Sequence, residues 1–298
     1  MKIMAIIILL TMLSLLSPPE VAEETLIEPE VEYNFFQPVI DKLYTLGVDS
    51  MFVYKLSNDP RVKFDQKYSK IHVPTGKSSG SSNKYATHYN RTAVSKTKAF
   101  LNVNMDLLST AEKQFGVNKE ILAALLYVET RHGNYLGNHN VASVYMSLAM
   151  ADQPDLITMN LNALKAKHSR KSKEAFAKLE SKLMKRVEQK TTWAIEQLIA
   201  LDSMDSCCYD ALSIHGSYAG AFGISQFIPD SYVRWAIDGN NDGKVDLFIL
   251  EDAVFSAANY LKLHGWTDDP QDQYDAIWGY NHSNAYVKAI QKLAGKIK

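Results

Sequence analysis

The sequence GVNKEILAALLYVETRHG, residues 116–133, predicts a short helix that carries one carboxylate at an unusual position. Asn118 can cap its start, and Gly133 can end it in a left-handed turn. Apolar side chains recur along it at helical spacing, at Ile121, Leu122, Leu125 and Leu126. Glu129 lies four residues after Leu125 and therefore continues this apolar stripe.

A carboxyl group on an apolar stripe is partly removed from water, and desolvation raises its pKa. A general acid that works near neutral pH needs a raised pKa of this kind. The alternative is a half-buried glutamate that pairs with a nearby Arg or Lys and only supports the fold. The helix alone leaves both interpretations of Glu129 open.

Composition sets the broad class. The chain of 298 residues is long enough for one large domain or two small ones with a sizeable core. A hydrophobic content of 46% argues against disorder. The formal net charge of -1 gives no indication of nucleic-acid binding.

The N-terminus has the pattern of a targeting segment. Lys2 precedes an apolar run over residues 3–16, which a Ser-Pro-Pro sequence then breaks. The run is too short for a comfortable membrane span and is typical of a secretory signal, which we assign to residues 1–22. The alternative is an uncleaved anchor that associates with the membrane. Both interpretations predict export to the periplasm or cell envelope.

The remaining pattern is mainly helical, and few strands are expected. Short helices are predicted over residues 38–46 and 49–55, followed by one long amphipathic helix over residues 92–115. Residues 141–151 form an apolar segment that can bury beside the helix of Glu129.

Residues 164–190 are strongly basic, with Phe176, Leu179, Leu183 and Val187 at helical spacing. This pattern predicts an amphipathic helix with a solvated cationic face. The functional alternative is attraction to anionic polymers of the cell envelope, which charge alone does not establish. A further helix is predicted over residues 191–201.

A run of small residues covers 216–232, GSYAGAFGISQFIPDSY. Its three glycines allow the backbone to approach another backbone or a ligand closely. Ser217 and Gln226 are polar exceptions in the run, and a buried glutamine must find hydrogen-bond partners. A sugar amide or hydroxyl is one candidate partner for Gln226, and protein backbone is the other.

Residues 238–252, DGNNDGKVDLFILED, match the spacing of an EF-hand calcium loop. The oxygen-bearing side chains at the first, third, fifth and ninth positions are Asp238, Asn240, Asp242 and Asp246. Glycine occupies the sixth position, and the carbonyl of Lys244 is available at the seventh. Ile249 replaces the usual glutamate at the twelfth position. Asp252, three residues later, can supply the missing carboxylate and close a longer loop. The alternative is a metal-free Asn/Asp/Gly turn.

Residues 276–286, AIWGYNHSNAY, bring Trp278, Tyr280 and Asn281 together before a closing helix. Aromatic faces stack on sugar rings, and asparagine bonds to sugar hydroxyl groups. Aromatic residues at this density also often belong to the core.

In this order, VETRHG, GSYAGAFGISQFIPDSY, DGNNDGKVDLFILEDAVFSAANYLKLHGW and GYNHS resemble the membrane-bound lytic murein transglycosylase B family, whose members cleave peptidoglycan glycan strands. The similarity covers the chain from about Tyr85 to the C-terminus, with a weaker likeness from Phe35. The resemblance implies a mainly α (α+β) fold with a lysozyme-like catalytic core, which contains the calcium loop. We assign the core to residues 111–298 and an N-terminal helical region to residues 30–110.

The resemblance also implies roles for single residues. The family's catalytic glutamate falls on Glu129, its glycan-contacting residues on Ser217 and Gln226, and its active-site tyrosine on Tyr280. We expect the neighbouring Asn281 to bind sugar as well. The implied ligands of a structural Ca²⁺ are Asp238, Asn240, Asp242, the carbonyl of Lys244 and Asp252. No organic cofactor is implied.

Two stretches depart from the family pattern. The family usually carries an Arg-Arg pair after the helix that follows the catalytic one, whereas residues 152–156 read DQPDL. The sequence therefore does not predict how a stem peptide is bound. His132 stands where an aromatic residue is frequent in the family.

A hydrolytic glycosidase normally uses two carboxylates, whereas this sequence offers one well-placed candidate. The resemblance implies that Glu129 alone acts, first as the acid for the N-acetylmuramic acid (MurNAc) to N-acetylglucosamine (GlcNAc) bond and then as the base. The expected product carries a 1,6-anhydro ring. The alternatives are a hydrolytic muramidase and a non-catalytic, calcium-stabilised protein that binds peptidoglycan.

Overall fold

The structure is a computed structural model that describes residues 34–74, 85–207 and 210–298. The predicted signal segment, residues 1–22, lies outside the described residues. Phe35–Lys298 form one compact unit. The division of the chain at residue 110 stays a prediction. Within the described ranges, no helix combines the length and the apolar character needed to cross a bilayer.

Helices dominate the described part of the chain. They are α1 (Gln37–Thr45), α2 (Ser50–Asn58), α3 (Arg91–Val103), α4 (Met105–Phe115), α5 (Lys119–Thr130), α6 (Val141–Ala149), α7 (Pro154–Lys167), α8 (Lys173–Cys207), α9 (Pro229–Trp235), α10 (Leu250–Leu263), α11 (Pro270–Tyr280) and α12 (Asn284–Ile297). Two short strands, β1 (His139–Asn140) and β2 (His215–Gly216), pair antiparallel, with His139 opposite Gly216. The predicted mainly α fold is confirmed.

Helix α5 forms the centre of the core. All residues from 121 to 128 are buried, including the four apolar residues of the predicted stripe. Helices α3, α4, α10 and α12 all pack against α5. A helix covered from several sides must be apolar nearly all round, so the buried face is wider than the predicted stripe.

The end of α5 differs from its prediction. Asn118 precedes the helix, but its side chain makes no capping hydrogen bond. The helix stops at Thr130, before Gly133, because Arg131 and His132 already have left-handed φ angles of 52° and 59°. Gly133 continues this left-handed turn with a φ of 88°.

Two contacts hold His132 in this uncommon backbone conformation. Its ring stacks on Phe100 with the centroids 3.7 Å apart, and its Nε2 lies 2.9 Å from the carbonyl oxygen of Ala123. Burial lowers the pKa of His132 to about 4, so the ring is neutral at pH 7. His132 is therefore a neutral aromatic ring that lies flat on Phe100 at the end of α5.

The predicted single helix over residues 92–115 was wrong, because α3 ends at Val103 and α4 begins at Met105. The side-chain amide of Asn104 donates a hydrogen bond of 2.9 Å to the carbonyl oxygen of Phe100. Asparagine competes for backbone groups in this way, which favours helix ends over helix interiors.

The predicted division between residues 190 and 191 was also wrong, since α8 runs without a break from Lys173 to Cys207. Its 35 residues extend for about 50 Å. The predicted apolar face is confirmed, and it packs in a small core of its own. That core contains Val73, Leu164, Leu179, Leu183 and Val187, with Phe176 against it.

Candidate active site

Glu129 lies one residue before the end of α5 and is only partly exposed. The hydroxyl group of Tyr286, on α12, donates a hydrogen bond to Oε1 of Glu129. Burial raises the pKa of Glu129 to about 7, while this hydrogen bond acts in the opposite direction. The carboxyl group is therefore protonated in about half of the molecules near pH 7.

The surroundings of Glu129 in the described part of the chain contain no charged partner. Its hydrogen bond comes from a neutral phenol, and no Arg or Lys contributes to its pKa. No second carboxyl group contributes to the raised pKa either. The interpretation of Glu129 as half of a structural ion pair is therefore wrong for the described residues.

Three tyrosines lie around the carboxyl group. Burial and then the charge of Glu129 raise the pKa values of Tyr85, Tyr280 and Tyr286 above their ordinary value. The rings of Tyr85 and Tyr286 meet edge to face, with centroids 6.0 Å apart. All three phenols stay protonated at neutral pH, so each can donate a hydrogen bond but not carry a negative charge.

Thr130 joins the helix of Glu129 to the glycine-rich segment. Its Oγ1 is fully buried and donates a hydrogen bond of 2.9 Å to the carbonyl oxygen of Ile224. The same oxygen accepts a bond of 2.9 Å from the backbone N–H of Gly133. The residue after Glu129 therefore fixes the distance between the catalytic candidate and the segment of Gln226.

Gln226 has a left-handed φ of 53° and is half-buried. Its Nε2 donates hydrogen bonds to the carbonyl oxygens of Gly223 (3.0 Å) and Leu136 (3.3 Å). Protein backbone is thus the partner of the amide nitrogen. The amide oxygen makes no hydrogen bond within the described residues and is available to a ligand.

Tyr280 connects the end of α11 to the same segment. Its hydroxyl group donates a hydrogen bond of 2.6 Å to the carbonyl oxygen of Ser225, next to Gln226. Its ring packs against Tyr260, with centroids 4.7 Å apart. Tyr280 therefore packs against the segment that carries Gln226. Asn281, at the end of α11, is exposed.

Ser217 is half-buried at a tight turn of the glycine-rich segment, where its Oγ accepts a bond of 3.2 Å from the N–H of Ala221. Within the described residues no hydrogen bond joins it to Glu129. A Cβ atom on Gly216 would lie 2.2 Å from the carbonyl oxygen of Ala221, and one on Gly220 would lie 2.4 Å from the Tyr145 ring. The predicted close approach is confirmed, and its partner is the protein itself.

The predicted calcium loop connects α9 to α10. Asp238 accepts hydrogen bonds from the backbone N–H groups of Asp242 (3.3 Å) and Gly243 (2.8 Å). Asn240 accepts one of 2.9 Å from Asp242. Lys244 is exposed and donates its N–H to Asp242 at 2.9 Å. Gly243 has a φ of 87°, as the sharp turn at the sixth loop position requires.

Asp252 lies fully buried in the first turn of α10 and holds both ends of this loop. Its Oδ1 accepts the N–H of Gly239 at 2.8 Å, and its Oδ2 accepts the N–H of Asp246 at 2.5 Å. Across the described ranges, no group of three or more His, Cys, Asp or Glu side chains is arranged to hold a metal ion. Calcium binding therefore stays a prediction.

A sequence model described as the transglycosylase SLT domain matches residues 39–272, which is most of the chain. The chain belongs to the transglycosylase SLT domain family. The resemblance inferred from the four motifs is confirmed.

Similar proteins agree with this membership of the transglycosylase SLT domain family. The chain is 32% identical over 172 residues to membrane-bound lytic murein transglycosylase B of Escherichia coli (strain K12). That match covers 58% of this chain and 38% of the relative, so the chain matches less than half of the relative's length.

Two solved structures of other lytic transglycosylases have the same lysozyme-like fold as this transglycosylase SLT domain. Soluble lytic transglycosylase SltB1 from Pseudomonas aeruginosa superimposes with a TM-score of 0.66 at 20% identity, over 88% of this chain and 97% of that one. Escherichia coli lytic transglycosylase Slt35 in complex with calcium gives a TM-score of 0.63 at 20% identity, over 88% and 92% of the two chains.

Three residues of this transglycosylase SLT domain were missed from the sequence: Tyr85, Thr130 and Tyr286. Tyr286 lies on the buried face of the amphipathic α12, where a tyrosine is read as core. Thr130 is adjacent to Glu129, but nothing in its surroundings along the chain indicates a bond to Ile224. Tyr85 is isolated in sequence from every other site residue. Only the fold brings Tyr85 and Tyr286 to Glu129 and ties Thr130 to Ile224.

Proposed function

We propose that the protein is a lytic transglycosylase that cleaves the MurNAc-β-1,4-GlcNAc bond of peptidoglycan in the cell envelope. The observation that carries this proposal is the single carboxyl group of Glu129, held near neutral pKa without a second carboxylate beside it. Membership of the transglycosylase SLT domain family and the name of the Escherichia coli relative support the substrate class.

In the first step Glu129 acts as a general acid. Tyr286 donates to Oε1, so the transferable proton resides on Oε2 and moves from there to the glycosidic oxygen. The bond from that oxygen to C1 of MurNAc breaks, and the GlcNAc hydroxyl leaves. Positive charge develops at C1 as the carboxyl group becomes a carboxylate, which stabilises that charge in a site with few competing charges.

In the second step the same group acts as a base. The carboxylate takes the proton from the C6 hydroxyl of MurNAc, and O6 bonds to C1 to close a 1,6-anhydro ring. Glu129 is then protonated again, and no water is consumed. A raised pKa suits both steps, because the group must give and take a proton at similar pH.

The glycan lies beside the glycine-rich segment in this proposal. The amide oxygen of Gln226 accepts a hydrogen bond from a sugar N–H or hydroxyl group, and Ser217 and Asn281 contribute polar contacts. Tyr280 provides a rigid aromatic wall, since its hydroxyl group is held by Ser225 and its ring by Tyr260.

Mass spectrometry of purified sacculi after digestion tests the proposal. We expect soluble muropeptides that are lighter by one water than the products of a muramidase, because the anhydro ring replaces a free reducing end. Products with a free reducing end would show hydrolysis instead. Binding to sacculi without release of fragments would show a non-catalytic peptidoglycan-binding protein.

The 238–252 loop binds a structural Ca²⁺ in this proposal. The available donors are the side-chain oxygens of Asp238, Asn240, Asp242 and Asp252 and the carbonyl of Lys244, all hard oxygen ligands of the kind calcium prefers. The buried Asp252 already closes the loop, and each of its oxygens keeps a second lone pair. The calcium complex of the related Slt35 also supports this assignment.

Calcium should therefore raise the melting temperature of the protein. At a concentration about 100 times the dissociation constant, the gain is about 2.7 kcal/mol, which corresponds to about 5 °C or more for a chain of this size. Asp242→Asn should abolish this rise in melting temperature. Asp268 is an exposed carboxylate outside the loop, so Asp268→Asn should leave the rise unchanged. An identical melting temperature with calcium and with a chelator would contradict calcium binding.

A further inference from the structure

A cavity of about 560 Å³ opens where the end of α5 faces α3. We name it the α3–α5 pocket. Its lining includes Lys96, Phe100, Tyr127, Arg131, His132 and Tyr135. The Phe100–His132 stack and the buried ring of Tyr127 give it an aromatic floor, while its two cationic side chains are exposed.

The two cations of the α3–α5 pocket have no acidic partner. Neither Lys96 nor Arg131 forms an ion pair with any described residue, and no Asp or Glu lines the pocket. The guanidinium carbon of Arg131 lies 4.6 Å from the ring centroid of Tyr135. A ring that covers one face of a guanidinium leaves its N–H edges free to bind a planar anion.

The backbone around Arg131 is held before any ligand arrives. Its left-handed turn is closed by the side-chain amide of Asn134, which donates a bond of 2.7 Å to the carbonyl oxygen of Arg131. A backbone fixed in this way loses little conformational freedom when a ligand binds. The backbone that carries Arg131 therefore needs no rearrangement when a ligand binds.

The pocket and the proposed active site share the C-terminal end of α5. Arg131 follows Glu129 by two residues, and its charge, after burial, helps to lower the pKa of His88. The ring centroid of His88 lies 5.4 Å from that of Tyr85, which in turn packs against Tyr286 beside Glu129. A chain of neighbouring side chains, His88, Tyr85 and Tyr286, therefore links Arg131 to Glu129.

We propose that the α3–α5 pocket binds a carboxylate of the stem peptide that branches from the glycan strand, with Arg131 and Lys96 as its cationic ligands. The proposal rests on the proposed function, since it takes peptidoglycan as the substrate. Backbone sugars of the strand carry amides and hydroxyl groups, whereas the peptide carries free carboxylates. Arginine binds carboxylates through two parallel hydrogen bonds, and lysine adds a second positive charge.

Short glycan strands with stem peptides in two matched forms test this inference. In one form the peptide carboxyl groups are free, and in the other they are converted to primary amides, which removes the charge at nearly constant shape. For the wild-type protein, kcat/KM should be about tenfold higher for the free form, mainly through KM. Arg131→Gln and Lys96→Gln should each lower this preference several-fold, and Arg131→Lys should retain part of it.

Lys98→Gln is the matched control, since Lys98 is an exposed cation on the same helix that does not line the pocket. It should keep the wild-type preference. Equal kcat/KM values of the wild-type protein for both forms would overturn the proposal, as would an unchanged preference in Arg131→Gln.

A binding measurement separates this proposal from the proposed function. Calorimetry with a free muramyl peptide needs no cleavage, and the affinity should fall about tenfold in Arg131→Gln but not in Lys98→Gln. Failure to cleave either strand, together with this pattern of binding, would reject the transglycosylase activity and keep the pocket. Equal affinity of wild type and Arg131→Gln would reject the pocket whatever the activity.

Discussion

The Glu129→Gln protein should release fragments from sacculi at least about 10³-fold more slowly than the wild type while keeping the same fold. Glutamine preserves the shape and can still accept the hydrogen bond from Tyr286, but it has no proton to give and none to take back. General acid or base catalysis by one group contributes about 10²–10⁴-fold, and here a single group serves both steps. Release of anhydro-muropeptides, followed by mass spectrometry, measures the loss.

The same substitution should stabilise the protein at alkaline pH. Burial raises the pKa of Glu129 from 4.5 to about 7 on folding, so the folded state disfavours the carboxylate. The wild type therefore loses stability as the pH rises from about 4.5 through 7, whereas the glutamine variant does not. Near pH 8 we expect Glu129→Gln to be more stable by about 2–3 kcal/mol, and near pH 4 the difference should vanish.

Glu120→Gln provides the control, because Glu120 lies on the same helix at its opposite end. It should leave both the rate of fragment release and its products unchanged. Wild-type activity in Glu129→Gln would reject the assignment of the acid. Lower stability of Glu129→Gln than of wild type at pH 8 would show that the carboxylate has a favourable partner in the folded protein.

Gly216→Ala should cost about 3 kcal/mol or more in the free energy of unfolding and should remove activity as well. The added Cβ would lie 2.2 Å from the carbonyl oxygen of Ala221 and 2.9 Å from its carbonyl carbon. Both are backbone atoms, so no side-chain rotation relieves the overlap. Gly216 also pairs with His139 and bridges to Phe222, so the segment that carries Gln226 must shift. Chemical denaturation and the sacculus digest measure the two effects.

Gly295→Ala is the matched control, because a Cβ on Gly295 meets no atom within 4 Å. Gly295 lies inside α12, where alanine favours the helix by about 0.5–1 kcal/mol over glycine. We therefore expect unchanged or slightly increased stability and full activity. If the Gly216→Ala protein is as stable as the wild type, the predicted overlap between the added Cβ and the backbone of Ala221 is wrong.

Local sequence was sufficient where a residue's role follows from its neighbours along the chain. The position of Glu129 on a buried helix follows from the apolar spacing before it, and burial of a carboxyl group raises its pKa whatever the partners. The close approach at Gly216 and Gly220 was likewise indicated by residue size. Local pattern was less reliable at helix boundaries. It missed the break at Asn104, because the amphipathic spacing of apolar residues continues across that break. It also placed a boundary inside α8, because the helix propensity of single residues contributes less than tertiary packing to where a helix ends.

The sequence by itself determined the fold class and the family and singled out the one carboxyl group of the proposed site, since these depend on hydrophobic period and on ordered motifs. The tertiary structure alone decided what surrounds that carboxyl group. Tyr85 and Tyr286 reach Glu129 from distant parts of the chain, Thr130 is tied to Ile224, and no cation of the described residues pairs with Glu129. The physical reason is that desolvation and hydrogen bonding act through space over a few ångströms, whereas sequence pattern records only neighbours on one element. Glu129 is therefore an acid of neutral pKa, and not half of an ion pair, because of how α5 and α12 pack.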